Sequence, residues 1–245
     1  MVKMTFNKLP SIFIPICLYS KTFYRKKENM KYLFSKYIQT SEAALIVICD
    51  DLHAYNLIIR GNCSTIDEAF KKAKKQGENL LNMILNIQKQ FTEVEDLRIT
   101  MWTEIASQNK YTELLQNLKN ILEQDKELEA VINEFVTLHI RKFRWSVHKD
   151  AAKWEERYLL EEIIMSIYVT EIFGYSRELW ENAPDPNFPD PIGYLYQNRP
   201  ELVQRLVGKK TLIRKLEILE VPQDKVCTTA DNRVLEVNTQ RLRPS

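Results

Sequence analysis

Three groups of side chains in this sequence have the types and spacing to do chemistry. The first is Cys17, which closes the apolar run Ile12-Phe13-Ile14-Pro15-Ile16 and precedes Leu18-Tyr19-Ser20. A thiol at the end of such a run can act as a nucleophile toward an acyl carbon. It can equally be a small buried hydrophobe, and no histidine lies near it in sequence to activate it. The second group is Tyr158 with Glu162. At i and i+4 the two share one face of a helix, a turn apart, and Trp154, Met165 and Val169 on that stripe are largely apolar. A carboxylate on an inward stripe needs a partner, and a poorly solvated one holds its proton more tightly. It can move protons or bind an ammonium group, or simply pair with a basic side chain. Glu161, next door, falls on a different face and is expected in solvent. The third group is Lys71, Lys72, Lys74 and Lys75, on the outer face of a long helix. Lysines so placed can track a phosphate backbone, without the base contacts that would specify sequence.

The elements that must position these groups alternate between strand and helix. Residues 12–17 and 45–49 are near-continuous apolar runs, as in parallel strands covered on both faces. The second run ends in Asp50-Asp51. Residues 28–39 read as helical. Ser64-Thr65 can cap a helix in which Ile66, Phe70, Ala73, Gly77, Leu80, Leu81, Ile84 and Ile87 recur at helical spacing through about residue 90. Residues 97–100 form a short third strand, 111–145 one or two helices, and 151–172 a further amphipathic helix. Pro184, Pro186, Pro189 and Pro191 impose a loop, because each removes a donor and fixes φ. A helix near 198–208 and a strand over 212–219 complete the core. This alternation predicts an α/β fold with a mostly parallel sheet flanked by crossover helices. Residues 1–221 are expected to form a single catalytic domain and the polar, aperiodic residues 222–245 a loose tail. In such sheets the site lies beyond the carboxyl ends of the strands, which brings Cys17, Ser20, Asp50 and Asp51 into one region.

Composition narrows the chemistry. The chain has 245 residues, 44% of them hydrophobic, enough for one sizeable core. It has only five glycines, where roughly 7% of residues is usual. Gly61, Gly77, Gly174, Gly193 and Gly208 are so widely spaced that neither a GxGxxG turn nor a GxxxxGK[ST] loop exists. Glycine-loop ATPases, kinases and dinucleotide oxidoreductases are thereby excluded, and no cofactor is expected. Net charge is +2, yet residues 1–40 hold eight basic side chains against the single acid Glu28, and a third basic run is Arg141, Lys142, Arg144. Each run taken alone is a solvated face; three of them point to a localised anionic partner. Cys17, Cys49, Cys63 and Cys227 show no CxxC spacing, and His53, His139 and His148 form no HExxH. The expectation is a reduced, cytoplasmic protein without a metal site. The apolar stretch from Ile12 to Tyr19 is too short to span a membrane. Nothing like a heptad seam is present, and a monomer is expected.

Asp50-Asp51-Leu52-His53-Ala54-Tyr55-Asn56-Leu57-Ile58-Ile59-Arg60-Gly61, running into the basic helix, resembles the tRNA-dependent cyclodipeptide synthases. So do Lys110-Tyr111-Thr112-Glu113 and the signature of Tyr, an aliphatic residue, two more residues and Glu, present as Tyr158-Leu159-Leu160-Glu161-Glu162. The resemblance runs from about residue 10 to 220, in the same order and at nearly the same spacings. It implies a Rossmann-like fold similar to the catalytic domain of class I tyrosyl- and tryptophanyl-tRNA synthetases. It implies an aminoacyltransferase that takes two aminoacyl-tRNAs in turn and makes a cyclic dipeptide, a diketopiperazine, by a ping-pong route. The family's nucleophilic serine falls on Cys17. Its tyrosine and glutamate, which hold the amino group of the aminoacyl moiety, fall on Tyr158 and Glu162. Tyr111 matches a further pocket tyrosine, and Ser20 falls where one subfamily has asparagine. The sequence departs from the pattern at Cys17 itself and at Pro15, where the family has glycine. It departs again at Phe188-Pro189, where the family has Tyr-His or Tyr-Pro; Tyr194 and Tyr196 are the other candidates for that role. Two rivals stand beside this reading. One is an α/β tRNA-binding protein without catalysis. The other is an acyltransferase or thiol hydrolase using Cys17 with His53 or His148.

Overall fold

The computed structural model describes residues 11–18, 26–39, 41–91, 96–142, 148–175 and 191–208. Three apolar segments become strands β1 (Ile12–Cys17), β2 (Ala44–Cys49) and β3 (Leu97–Met101). They form a parallel sheet in the order β1-β2-β3, with Cys17 opposite Cys49 and Ile48 opposite Met101. All three strands therefore end at one edge of the molecule. Pro15, which cannot donate to a ladder, fits because β1 pairs on one side only among the described strands.

Side chains alternate across a strand, and both faces of this sheet are covered. Ile12, Ile14, Ile16, Ala44, Ile46, Ile48 and Met101 lie on one face. There they pack on α1 (Lys27–Leu33), its π-helical continuation Phe34–Ile38, and α3 (Ile66–Gln88). Phe13, Leu45, Val47 and Cys49 face the other way. They meet α4 (Trp102–Ala106), α5 (Asn109–Gln124), α6 (Lys126–Lys142) and α7 (Ala151–Ile167), the last continued by a π-helical turn, Tyr168–Ile172. Helices α8 (Pro191–Asn198) and α9 (Pro200–Val207) close the outer end of this second core. Burying each strand Ile or Val contributes about 1.5–3 kcal/mol relative to exposure, and most of them are under 3% exposed.

Local chemistry sets the helix ends. Thr65 Oγ1 accepts from the Glu68 amide at 3.2 Å, and the Glu68 carboxylate accepts from the Ser64 amide at 2.9 Å. This cap satisfies two donors at the start of α3. Asp125 breaks residues 109–142 into two helices and caps the second, its Oδ1 accepting from the Leu128 amide at 3.0 Å. Arg199 ties that corner to the α8–α9 junction, donating to Asp125 at 2.5 Å and to Glu201 at 2.7 Å. Within α3, a Cβ on Gly77 would come within 2.9 Å of Met101 Cε and 3.2 Å of Asp50 Cβ. The missing side chain lets α3 lie close against the strand ends.

Two expectations change. Asp50-Asp51, read as the end of the second strand, and the residues after them, assigned to no element from sequence, form α2 (Asp50–Ile59). Every residue from Leu52 to Ile59 is buried, so the helix has no polar stripe to reveal its period. Pro191 lies not in a loop but in the first position of α8, where a missing N–H costs nothing. The helix expected near 198–208 is α9, which Pro200 opens, and α8 precedes it. Ser20, Phe188, the prolines at 184, 186 and 189, the strand expected over 212–219 and the tail from 222 lie outside the described residues.

Candidate active site at the carboxyl end of the sheet

Cys17 is the last residue of β1, on the face shared with Phe13 and hence toward α7. It is partly exposed, and its register partner Cys49 is buried with its sulfur 3.8 Å from Met165 Sδ of α7. Helix α7 thus reaches the carboxyl end of β2. Its Tyr158 shares an electrostatic neighbourhood with Glu162, Cys17, Glu155 and Cys49. Burial, then the Glu162 carboxylate, pushes the Tyr158 phenol well above its ordinary value. Cys17 and Glu162, both expected from sequence, therefore lie within electrostatic range of Tyr158.

Around them the structure adds groups that the sequence did not single out. Glu155 is 1% exposed and bonds His139 Nδ1 of α6, whose ring lies 6.3 Å from that of Tyr158. Arg60, at the end of α2, is 4% exposed and has Cys17, Glu155 and Tyr158 as its electrostatic neighbours. Burial lowers its guanidinium to about 10, against those three groups. Glu155 is three residues before Tyr158 and seven before Glu162, so the helical stripe already contained it. Arg60 has no such signal, because it reaches the site only through the buried path of α2.

Glu161 is the clear correction. It is not in solvent but 2% exposed, accepting from Tyr111 Oη of α5 and from Arg157 Nη2 at 2.7 Å. Arg157 Nε donates in turn to Tyr55 Oη of α2 at 3.3 Å. Helix α7 packs on α2, α5 and α6 at once, so it has two inward faces rather than one. Burial, then the nearby Asp51 carboxylate, pushes the Glu161 carboxyl up to about 8, while Asp51 itself rises to about 6 through burial and then Asp50. Asp50, also pushed up by burial, is held by Thr103: its Oδ2 accepts from Oγ1 at 2.8 Å and its Oδ1 from the amide at 3.2 Å. Tyr111 is 2% exposed, between Trp102 and Tyr168 in edge-to-face contacts at 5.0 and 5.9 Å.

The remaining expected residues make the following contacts. Tyr194 packs edge-to-face on Phe135 of α6 at 6.0 Å. Tyr196 Oη meets Thr170 Oγ1 at 3.0 Å and donates to Glu171 at 3.2 Å. His53 bonds Gln76 of α3 at 2.8 Å, and His148 lies 3.9 Å from Asp150. Lys71, Lys72, Lys74 and Lys75 are all exposed along α3, with Lys72 Nζ donating to the Asn62 carbonyl at 3.4 Å. Among the described residues no group of three or more His, Cys, Asp or Glu could hold a metal, and no helix is long and apolar enough to cross a membrane.

No protein-family model matches the chain, and no curated protein matches it. Solved structures do. A cyclodipeptide synthase from Fluoribacter dumoffii superposes with a TM-score of 0.61 at 18% identity, over 78% of this chain and 84% of that one. A Mycobacterium tuberculosis protein, described as demonstrating that cyclodipeptide synthetases are related to type I tRNA synthetases, superposes with a TM-score of 0.55 at 17% identity, over 69% of this chain and 70% of that one. A cyclodipeptide synthase from Candidatus Glomeribacter gigasporarum, bound to Phe-tRNAPhe, gives a TM-score of 0.50 at 16% identity, over 100% of this chain and 96% of that one. With its three-stranded parallel sheet covered by helices on both faces, and by these superpositions, this chain has the fold of the cyclodipeptide synthases.

Proposed function

We propose that this protein is a cyclodipeptide synthase that forms a diketopiperazine from two aminoacyl-tRNAs. The observation that supports the reading is that Tyr158 of α7 lies within electrostatic range of Cys17, at the carboxyl end of β1, and of Glu162. Two further observations support it: the fold, and an exposed lysine row on α3 that suits a polyanion. The Phe-tRNA complex of the Glomeribacter protein supports the choice of aminoacyl-tRNA as that polyanion.

In this mechanism the Cys17 sulfur attacks the ester carbonyl of the first aminoacyl-tRNA. A thioester forms, the ester C–O bond breaks, and the tRNA leaves with its 3′-terminal hydroxyl reprotonated. Tyr158 and Glu162 hold the α-amino group of the bound residue, and Glu162 accepts or returns its proton. The amine of a second aminoacyl-tRNA then attacks the thioester carbonyl, releasing the thiolate and leaving a dipeptide on the second tRNA. Return of this dipeptidyl group to Cys17 expels the second tRNA. Attack by the free amine on the thioester carbonyl then closes the ring and regenerates the thiol. Holding two acyl groups in place removes much of the entropic barrier.

The test is incubation with a mixture of charged tRNAs, with mass spectrometry for cyclic dipeptides and radiolabelled aminoacyl groups to trap the acyl-enzyme. Cys17→Ala is expected to abolish labelling, and Cys17→Ser to retain or raise it. Glu162→Gln is expected to slow product formation on the order of 100-fold. Absence of both product and acyl-enzyme in the wild type would refute the reading. Affinity for tRNA that is indifferent to aminoacylation would then favour a binding protein.

A further inference from the structure

Cys17 and Cys49 are partners in the register of β1 with β2, two strands that are neighbours in the sheet. Adjacent strands run about 4.7–4.9 Å apart, inside the roughly 4.4–6.8 Å range of Cα separations that a disulfide spans. Side chains alternate between the faces of a strand, so two residues opposite each other in register point to the same side. For this pair it is the side of α7, where the Cys49 sulfur lies 3.8 Å from Met165 Sδ and its thiol donates to the Val47 carbonyl at 3.8 Å. The pair is also the last rung of the β1–β2 ladder, so drawing the two residues together strains no rung beyond it. Both residues are thiols in the structure, and they differ in access: Cys17 is partly exposed, whereas Cys49 is 2% exposed. An oxidant in solution therefore meets Cys17 first. An accessible thiol beside a second one is the usual arrangement of a redox-sensitive cysteine and the thiol that resolves it. Serine, which the resembling family has at position 17, cannot take part in this chemistry.

We propose that Cys17 and Cys49 form an intramolecular disulfide when the protein meets a peroxide, and open again when it meets a thiol reductant. The Cys17 thiolate attacks one peroxide oxygen and the O–O bond breaks. The hydroxide that leaves takes up the proton released by the thiol, giving water, and Cys17 is oxidised by two electrons to a sulfenic acid. The Cys49 sulfur then attacks the Cys17 sulfur. The S–S bond forms, the S–O bond breaks, and the hydroxyl leaves with the Cys49 proton as a second water. A dithiol reductant returns two electrons and two protons and restores both thiols. The bridge needs only the two thiols, so it goes beyond the proposed function and is tested apart from it. Where Cys17 is the nucleophile, the bridge stops acyl transfer until it is reduced.

The test is incubation of the full chain with hydrogen peroxide under native conditions, blocking of the remaining thiols with N-ethylmaleimide, and mass spectrometry of a tryptic digest made without reductant. Lys21, Lys36 and Arg60 put Cys17, Cys49 and Cys63 on separate peptides. A cross-link between the Cys17 and Cys49 peptides is expected, released by dithiothreitol. In Cys49→Ala, the Cys17 sulfenic acid trapped by dimedone is expected to rise on the order of tenfold, because the thiol that consumes it is gone. Several results overturn the proposal: an unoxidised Cys17, an over-oxidised Cys17 with no cross-link, a bridge from Cys17 to Cys63 or Cys227, or a Cys17–Cys17 bridge between two chains. The wild-type peptide map decides the matter if the variant does not fold. Failure of the functional reading looks different: the bridge would form, but the reduced protein would make no acyl-enzyme.

Discussion

Buried ionisable side chains on α7 carry the strongest residue-scale consequences. Glu161 is buried against Tyr111 and Arg157, and its carboxyl is pushed up to about 8. Its proton is therefore bound more tightly in the folded than in the unfolded chain, where a Glu titrates near 4.3. The unfolded state releases its proton first as pH rises. Stability contributed through this group is thus fully present below about pH 4 and is lost progressively up to about pH 8. In a series of thermal melts from pH 5 to pH 8.5, Glu161→Gln is expected to flatten the decline seen in the wild type. A variant that declines as steeply as the wild type would show that Glu161 is not the titrating group. Sequence reasoning puts Glu161 in solvent because it assigns amphipathicity to one face of α7. A second inward face can only be seen once α2, α5 and α6 are known to surround it.

Among elements, α3 is the most legible in the sequence and α2 the least. The period of α3, its cap at Thr65 and its lysine row follow from sequence because one face is buried and the other solvated. Removing the Thr65 hydroxyl leaves the Glu68 amide without its acceptor. Thr65→Ala is expected to cost about 1 kcal/mol in urea unfolding with an unchanged m-value. Helix α2 escapes such reasoning, since its burial on all sides erases the alternation that marks a helix. The same burial brings Arg60 to the site. The strands are legible for the opposite reason: a parallel strand covered on both faces reads as an unbroken apolar run. The catalytic candidates at the strand ends follow from that topology, whereas their charged neighbours do not.

For the molecule as a whole, the near-zero net charge hides a division of labour. Lysines 71, 72, 74 and 75 stand in solvent on the helix that covers one sheet face, while the titratable cluster lies under the helix that covers the other. The half of α3 that carries the lysines packs, through Phe70 and Ala73, in one cluster with Trp154 and Tyr158 of α7, so a polyanion gripped there lies beside the helix of the candidate site. Replacing Lys71 and Lys75 with Gln is expected to weaken tRNA binding. The slope of log affinity against log salt should become shallower by about 0.7–0.9 for each phosphate that is no longer neutralised. An unchanged slope would place the tRNA elsewhere. The alternation of β1 and β2 has a consequence for how such a protein can diversify. Ile14, Ile16, Ile46 and Ile48 answer only to the packing of α1 and α3, whereas Phe13, Cys17, Val47 and Cys49 share their space with α7. Substitutions at the first set are limited by volume, whereas those at the second act on the side of the sheet that carries Cys17 and Tyr158. A library randomised at Phe13, Val47 and Cys49, with Cys17, Tyr158 and Glu162 kept, would vary the surroundings of the proposed site while leaving the other half of the core untouched.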